Sequence, residues 1–252
     1  MNNIMTESWA IAKRDLKKRY SIWKDIISII FIFAILIGAG FGLNKIIKNQ
    51  NLGQSYDSFF ASGMIGVFIA ILAMSIGIDL VIDRRGFNKL LLVAPVSRIS
   101  IILGKTIYLF INSLKTLFVT AIITMIYFNT FSMLKVIVLV PIIIFSTLLF
   151  LGITLIIASL IKKQNTADTI FQIILFFFMF FSGAMYSINP FPEIVKYIFY
   201  INPATYVVEV FRYIISGSTF INFYVSTTVI IILAVVFSSL GIYLYDKKLR
   251  DG

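Results

Sequence analysis

The sequence predicts an all-α, polytopic membrane protein, one transmembrane domain over residues 1–252, on three observations. Hydrophobic residues make up 60% of the chain and charged residues 13%, against roughly 45–50% and about 25% in soluble domains. That is too little polar surface to cover a water-facing globule, which excludes a soluble enzyme. The apolar residues also gather into runs of about 20, the length of a bilayer-crossing helix. Within these runs apolar and polar residues do not alternate with period two, so a lipid-facing β-barrel does not fit.

Six runs have the spanning length: 26–47, 59–80, 106–128, 136–161, 169–188 and 221–244. Only the third carries a charge well inside it, Lys115. The basic residues set the expected orientation. Lys13, Arg14, Lys17, Lys18, Arg19 and Lys24 precede the first run, and Arg84, Arg85, Lys89, Arg98 and Lys105 separate the second from the third. Lys162 and Lys163 separate the fourth from the fifth, and Lys247, Lys248 and Arg250 follow the sixth. The other side holds Lys45, Lys48, Lys135, Lys196 and Arg212. Short loops rich in Lys and Arg stay cytoplasmic, so both termini are expected inside a cell membrane, as an even span count requires.

The net charge of +11 is therefore read as loops facing anionic lipid, not as a nucleic-acid surface. With no Cys and no His, the chain has no disulfide framework, no thiolate nucleophile and no histidine base or metal ligand. Its 11 acidic residues are dispersed, forming neither a carboxylate dyad nor a membrane-embedded proton relay. No catalytic residue and no metal site is expected.

Residues 1–25 do not read as a signal peptide, which ends in a small-residue cleavage site. Trp9, Ala12, Leu16, Tyr20 and Trp23 recur at steps of three and four between basic residues, the pattern of an amphipathic helix in the headgroup layer.

Three segments need more than a spanning role. In the basic loop 83–105, Arg84 and Arg85 precede Gly86, and Phe87, Leu90 and Leu91 lie at helical spacing with Lys89 before Pro95. This short amphipathic helix either lies on the headgroups or docks a soluble partner in a groove. The apolar stretch 188–220 falls on the opposite side. Pro192 can start one short helix, and Asn202 with Pro203 can cap and start a second. Glu209 and Arg212 face each other three residues apart, and Gly217 ends the helix. Two such helices would dip back into the outer leaflet or form a structural cap on the bundle. Lys115, beside Asn112, Ser113 and Thr116, either faces an internal path or snorkels to the interface. Asp79 is a candidate partner.

Two motifs carry little. Gly104-Lys105-Thr106 ends like a phosphate loop, but Ile99 stands where the first glycine would be and no strand precedes it. Gly38 and Gly42 have the spacing of close helix packing, read as ordinary packing within the chain before a dimer seam.

At this point the chain resembles the membrane subunit of an ATP-binding-cassette exporter of the type-2 permease family. The most specific piece is Asn202-Pro203-Ala204-Thr205-Tyr206, with Glu209 and Arg212 following, which is similar to a signature before the family's last span. Ser182-Gly183 also fits, and Arg85-Gly86 with Ala94-Pro95-Val96-Ser97-Arg98 resembles the family's loop pattern. Here Phe87, Asn88 and Ala94 replace its usual Thr, Glu and Thr.

The resemblance implies a half-transporter. Two permease subunits, identical or related, would line a path above two copies of a cytoplasmic ATP-binding cassette subunit. Arg84–Leu92 would be the coupling helix, and the helices at 192–216 would close the outer exit. ATP and Mg would bind the partner, with no cofactor on this chain. An ATP-independent secondary transporter or channel remains the principal alternative, beside a lipid-modifying enzyme and a membrane tether for an ATPase. The topology makes a direct expectation. In this Cys-free chain, a cysteine at Asn189 should react with an impermeant thiol reagent added outside, and one at Gln164 should not.

Overall fold

The computed structural model describes residues 2–19, 22–46, 55–83, 98–161 and 163–251. Among them every regular element is a helix: α1 (Asn2–Arg19), α2 (Ile22–Ile46), α3 (Tyr56–Asp83), α4 (Arg98–Tyr127), α5 (Met133–Leu160), α6 (Gln164–Phe180), α7 (Glu193–Ile201), α8 (Pro203–Ser216) and α9 (Phe223–Asp251). Among the described residues, four helices are long and apolar enough to cross a membrane, over Tyr56–Ser75, Phe110–Tyr127, Met133–Leu160 and Phe223–Lys248. The windows 26–47 and 169–188 fall on shorter apolar stretches, Ile29–Gly42 and Asn165–Phe180.

The bundle turns its apolar side chains outward as well as inward. Phe31, Ile137, Phe176 and Ile232 are 64, 63, 57 and 55% exposed, an arrangement lipid solvates and water does not. Burial grades across the helices. Of the apolar window in α3, 78% is buried inside the chain, against 22% of that in α9, so α3 is the axis and α9 a rim helix. α3 touches α2, α4, α5, α6 and α8.

Glycines set the closest crossings, because a helix without side chains at the contact lets another backbone approach. α9 packs along α5 where Gly152 faces the backbone of Phe237 and Ser238, and a Cβ on Gly241 would lie 2.5 Å from the Gly152 carbonyl oxygen. α1 lies against the start of α4. A Cβ on Gly104 would come within 2.7 Å of Ile11 and of the Ser8 carbonyl oxygen, and the Ser100 hydroxyl donates to Glu7 Oε2 at 2.7 Å. The face α1 buries is therefore Ser8, Ile11 and Ala12, while Trp9 stays 52% exposed. Trp23 belongs to α2.

Two sequence expectations are corrected. The fifth run was expected to continue to residue 188, but α6 stops at Phe180 and Gly183 adopts φ 72°. Ala184 and Ile188, which made the run look continuous, are buried as loop residues instead. In α2 the packing glycine is Gly40, where a Cβ would lie 3.0 Å from Asp57 Cα; Gly38 and Gly42 meet nothing within 4 Å. Their face is exposed.

Substituting Gly152 by Val should force α5 and α9 apart and cost about 1–3 kcal/mol of overpacking strain. In detergent its thermal midpoint should fall by several degrees.

Candidate functional site

The α7–α8 hairpin is built from local signals that the sequence carries openly. Pro192 precedes α7 at its N-cap position. Asn202 caps α8, its Oδ1 accepting the Ala204 N–H at 2.9 Å, with Pro203 in the first turn. The same side chain turns its Nδ2 to the Phe177 carbonyl at 3.3 Å, so one residue both starts α8 and ties it to the end of α6. The Thr205 hydroxyl donates to the Phe199 carbonyl at 2.6 Å, and Tyr206 donates to the Tyr200 carbonyl at 2.7 Å, closing α8 against α7. Gly217 ends α8 with φ 79°, a left-handed cap that only glycine adopts without strain.

At the centre of α8 lie Glu209 and Arg212, both fully buried. Arg212 Nη1 donates to Glu209 Oε1, and Nη2 donates to the Gly183 carbonyl at 2.6 Å. The guanidinium lies 3.9 Å above the Phe59 ring of α3, a cation–π contact that desolvation strengthens. Glu209 Oε2 accepts from the Thr219 hydroxyl at 2.6 Å and from the backbone N–H groups of Phe220 at 2.6 Å and Ile221 at 3.1 Å. Burial pulls the Arg212 pKa down from its usual value, and the neighbouring Glu209 carboxylate opposes that shift. Removing either partner would leave an uncompensated buried charge, at a cost of about 3–5 kcal/mol.

α3 seats this cluster. A Cβ on Gly63 would lie 2.7 Å from the Ala184 carbonyl oxygen and 2.9 Å from Arg212 Nη2, and one on Gly66 would lie 3.0 Å from Val208 Cα. The Tyr56 hydroxyl adds a bond to the Met185 carbonyl at 2.6 Å. The first turns of α3, the segment after α6, the middle of α8 and the segment leading into α9 thus meet at one apex.

Below the apex a cleft of about 260 Å³ opens between α3 and α6, lined by Val67, Ile71, Gln172, Leu175, Phe176 and Met179. The exposed face of α6 changes character along its length. Asn165, Thr166, Thr169 and Gln172 occupy its first half, and Ile173, Phe176, Phe177 and Phe180 its second. Sequence reasoning missed Gln172, although a lone amide inside a charge-free apolar run was a readable signal.

Asn202, Pro203, Tyr206, Glu209 and Arg212 all lie on α8 or its cap; Glu209 and Arg212 meet each other and are more deeply buried than a surface i,i+3 pair, while Asn202 reaches Phe177 and Tyr206 reaches Tyr200. Asn112 and Lys115 sit half-buried on α4 and do not line the cleft. The Ser113 and Asp79 side chains lie outside the described residues, as do Arg84, Arg85, Gly86, Phe87, Lys89, Leu90 and Leu91. Among the described residues no group of three or more acidic or metal-ligating side chains could hold a metal.

A family model described as ABC-2 type transporter matches residues 6–216, from α1 to the end of α8. No curated protein matches the chain.

The asymmetry of the buried pair makes it testable. Exchanging the partners, Glu209→Arg with Arg212→Glu, preserves opposite charges but points an acid at the Gly183 carbonyl and a base at three donors. The double variant should yield no more folded protein, by size exclusion in detergent, than Glu209→Gln alone. Recovery to the parent yield would reduce the cluster to a simple ion pair.

Proposed function

Since the chain belongs to the ABC-2 type transporter family, a family of membrane permeases, we propose that it is the membrane subunit of an ATP-driven exporter. Its cargo is a hydrophobic or amphipathic molecule, such as a drug, a lipid or a lipid-linked glycan, moved outward. The observation that carries this reading is the face of α6. Beyond Asn165 and Thr166 at its start, its first half exposes Thr169 and Gln172 where a lipid-facing helix would be apolar, and it leads into the apolar α3–α6 cleft. Polar groups at membrane depth face a water-filled path or another protein surface, and an apolar cleft with one amide suits an amphipathic guest.

The rest of the proposal follows from the same residues. α2 and α6 join the four longer helices as spans, giving six, with both termini in the cytoplasm of a cell membrane. At 17 residues, α6 lies at the short end of the spanning range, and the α7–α8 hairpin fills the outer leaflet above it. The exposed Gly38 and Gly42 face of α2 supports a second permease subunit, identical or related, packing helix to helix. The chain has no phosphate-binding loop, so ATP and Mg sit on two cassette subunits docked at Arg84–Leu91, and hydrolysis is theirs.

The experiment is co-purification. The chain should bring down a soluble ATPase carrying nucleotide motifs, and Arg85→Asp with Phe87→Ala should cut that association and ATP-dependent efflux at least tenfold. Reconstituted alone, the chain should move nothing even with nucleotide present. Efflux by the isolated chain on an ion gradient would replace the proposal with a secondary transporter or channel.

A further inference from the structure

We infer that the Glu209–Arg212 pair is a permanent pin: it holds the outer ends of α3, α6, α8 and α9 together as one body throughout the transport cycle, so that the α3–α6 cleft opens from its inner end. The inference rests on the exporter reading and concerns which part of the subunit moves.

The alternative role for a buried ion pair is a latch, broken and remade in each cycle. The geometry favours the pin. A latch has its partners on the two bodies that separate, but Glu209 and Arg212 are on the same helix, one turn apart. Their remaining contacts radiate to different segments: Arg212 reaches Gly183 and Phe59, while Glu209 reaches Thr219, Phe220 and Ile221. Parting the Gly183 segment or the 219–221 segment from α8 breaks charge-assisted bonds on a fully buried pair, and parting α3 from it breaks the cation–π contact of Arg212 with Phe59. Three further ties cross the same region independently of the pair: Tyr56 to Met185, Asn202 to Phe177, and the close approach of the α8 backbone at Val208 to Gly66.

The cleft has the opposite construction. It begins at Val67, directly after Gly66, continues past Ile71, and faces Leu175, Phe176 and Met179 across an unfilled volume of about 260 Å³, its upper wall flanking the tied Phe177. Its walls are apolar apart from Gln172, so they can part without stranding buried polar groups. α3 and α6 therefore form two legs joined at the top. Glu209 and Arg212 are positioning residues, acting through the hairpin and not by touching cargo.

The absence of Cys lets pairs of spin labels be placed without background. Asn189 and Tyr224, both exposed, report the apex; Ser75 and Thr169, also exposed, report the legs below the cleft. Distances would be measured by pulsed electron resonance in nanodiscs, on the complex with its cassette subunits, without nucleotide and trapped with ATP and vanadate. The apex distance should stay within about 2 Å, and the leg distance should change by about 5 Å or more. An apex shift as large as the leg shift overturns the pin. Movement at neither pair overturns the ATP-driven reading instead, and a second measurement then decides the pin by itself. In the chain without its partner, Glu209→Gln should broaden the apex distance distribution at least twofold and leave the leg distribution unchanged, with the milder Arg212→Lys falling between. Unbroadened apex distributions in both variants would overturn the pin.

Discussion

A charge pair sealed from water must find every partner inside the protein, and that requirement organises the end of the bundle where α7 and α8 lie. One Glu209 oxygen meets Arg212, which leaves the other to collect the donors of Thr219, Phe220 and Ile221. Those bonds fix the path of the chain into α9. Arg212 has one guanidinium nitrogen on Glu209 and another on the Gly183 carbonyl, with its flat face on Phe59. The planar fork suits that double duty in a way an ammonium would not. Remove the pair and the segment after α6, the segment before α9 and the start of α3 lose their common partner.

Glycine supplies the complementary constraint, determining how closely backbones approach. Gly63 and Gly66 let α8 lie against α3, Gly152 and Gly241 bring α5 and α9 together, and Gly104 admits α1 beside α4. Between helices in lipid, where apolar side chains gain little by leaving their solvent, close packing of this kind replaces the hydrophobic effect as the main attraction. A few close glycine crossings and one polar cluster thus fix the geometry of the bundle around its contiguous apolar core.

That division explains what could be read from the sequence. The caps of α8 were legible because each is local: Asn202 followed by Pro203 starts a helix, and Gly217 ends it, whatever surrounds them. The pairing of Glu209 with Arg212 was legible from their spacing, but its burial was not, because it depends on Phe59 and Gly183, which are far from it in the chain. The end of α6 was missed for a related reason. Ala184 and Ile188 are as apolar as a span requires, and only the packing of the loop against α3 and Tyr56 shows that they serve a turn. The glycine spacing of Gly38 and Gly42 drew attention that belonged to Gly40, since spacing gives the face of a helix but not which face has a neighbour.

Hydrogen-bonded ties at the apex and apolar walls below it have opposite costs of parting in different solvents. In water, parting two apolar helix faces is costly and parting two hydrogen-bonded ones is cheap, because water replaces the lost bonds. In a bilayer the order reverses: lipid tails can cover a parted apolar face, but nothing there replaces a lost hydrogen bond. Contacts such as Asn202 to Phe177 and Arg212 to Gly183 would therefore be costly to break there, while the walls formed by Val67, Ile71, Leu175 and Phe176 carry no such bonds. Gln172 is the exception within the cleft. Facing hydrocarbon, its amide would go unpaired at a cost of about 1–3 kcal/mol, a penalty lifted by water or by a guest carrying a carbonyl or hydroxyl. A guest of that kind would offer this otherwise apolar wall a hydrogen-bonding partner that lipid tails cannot.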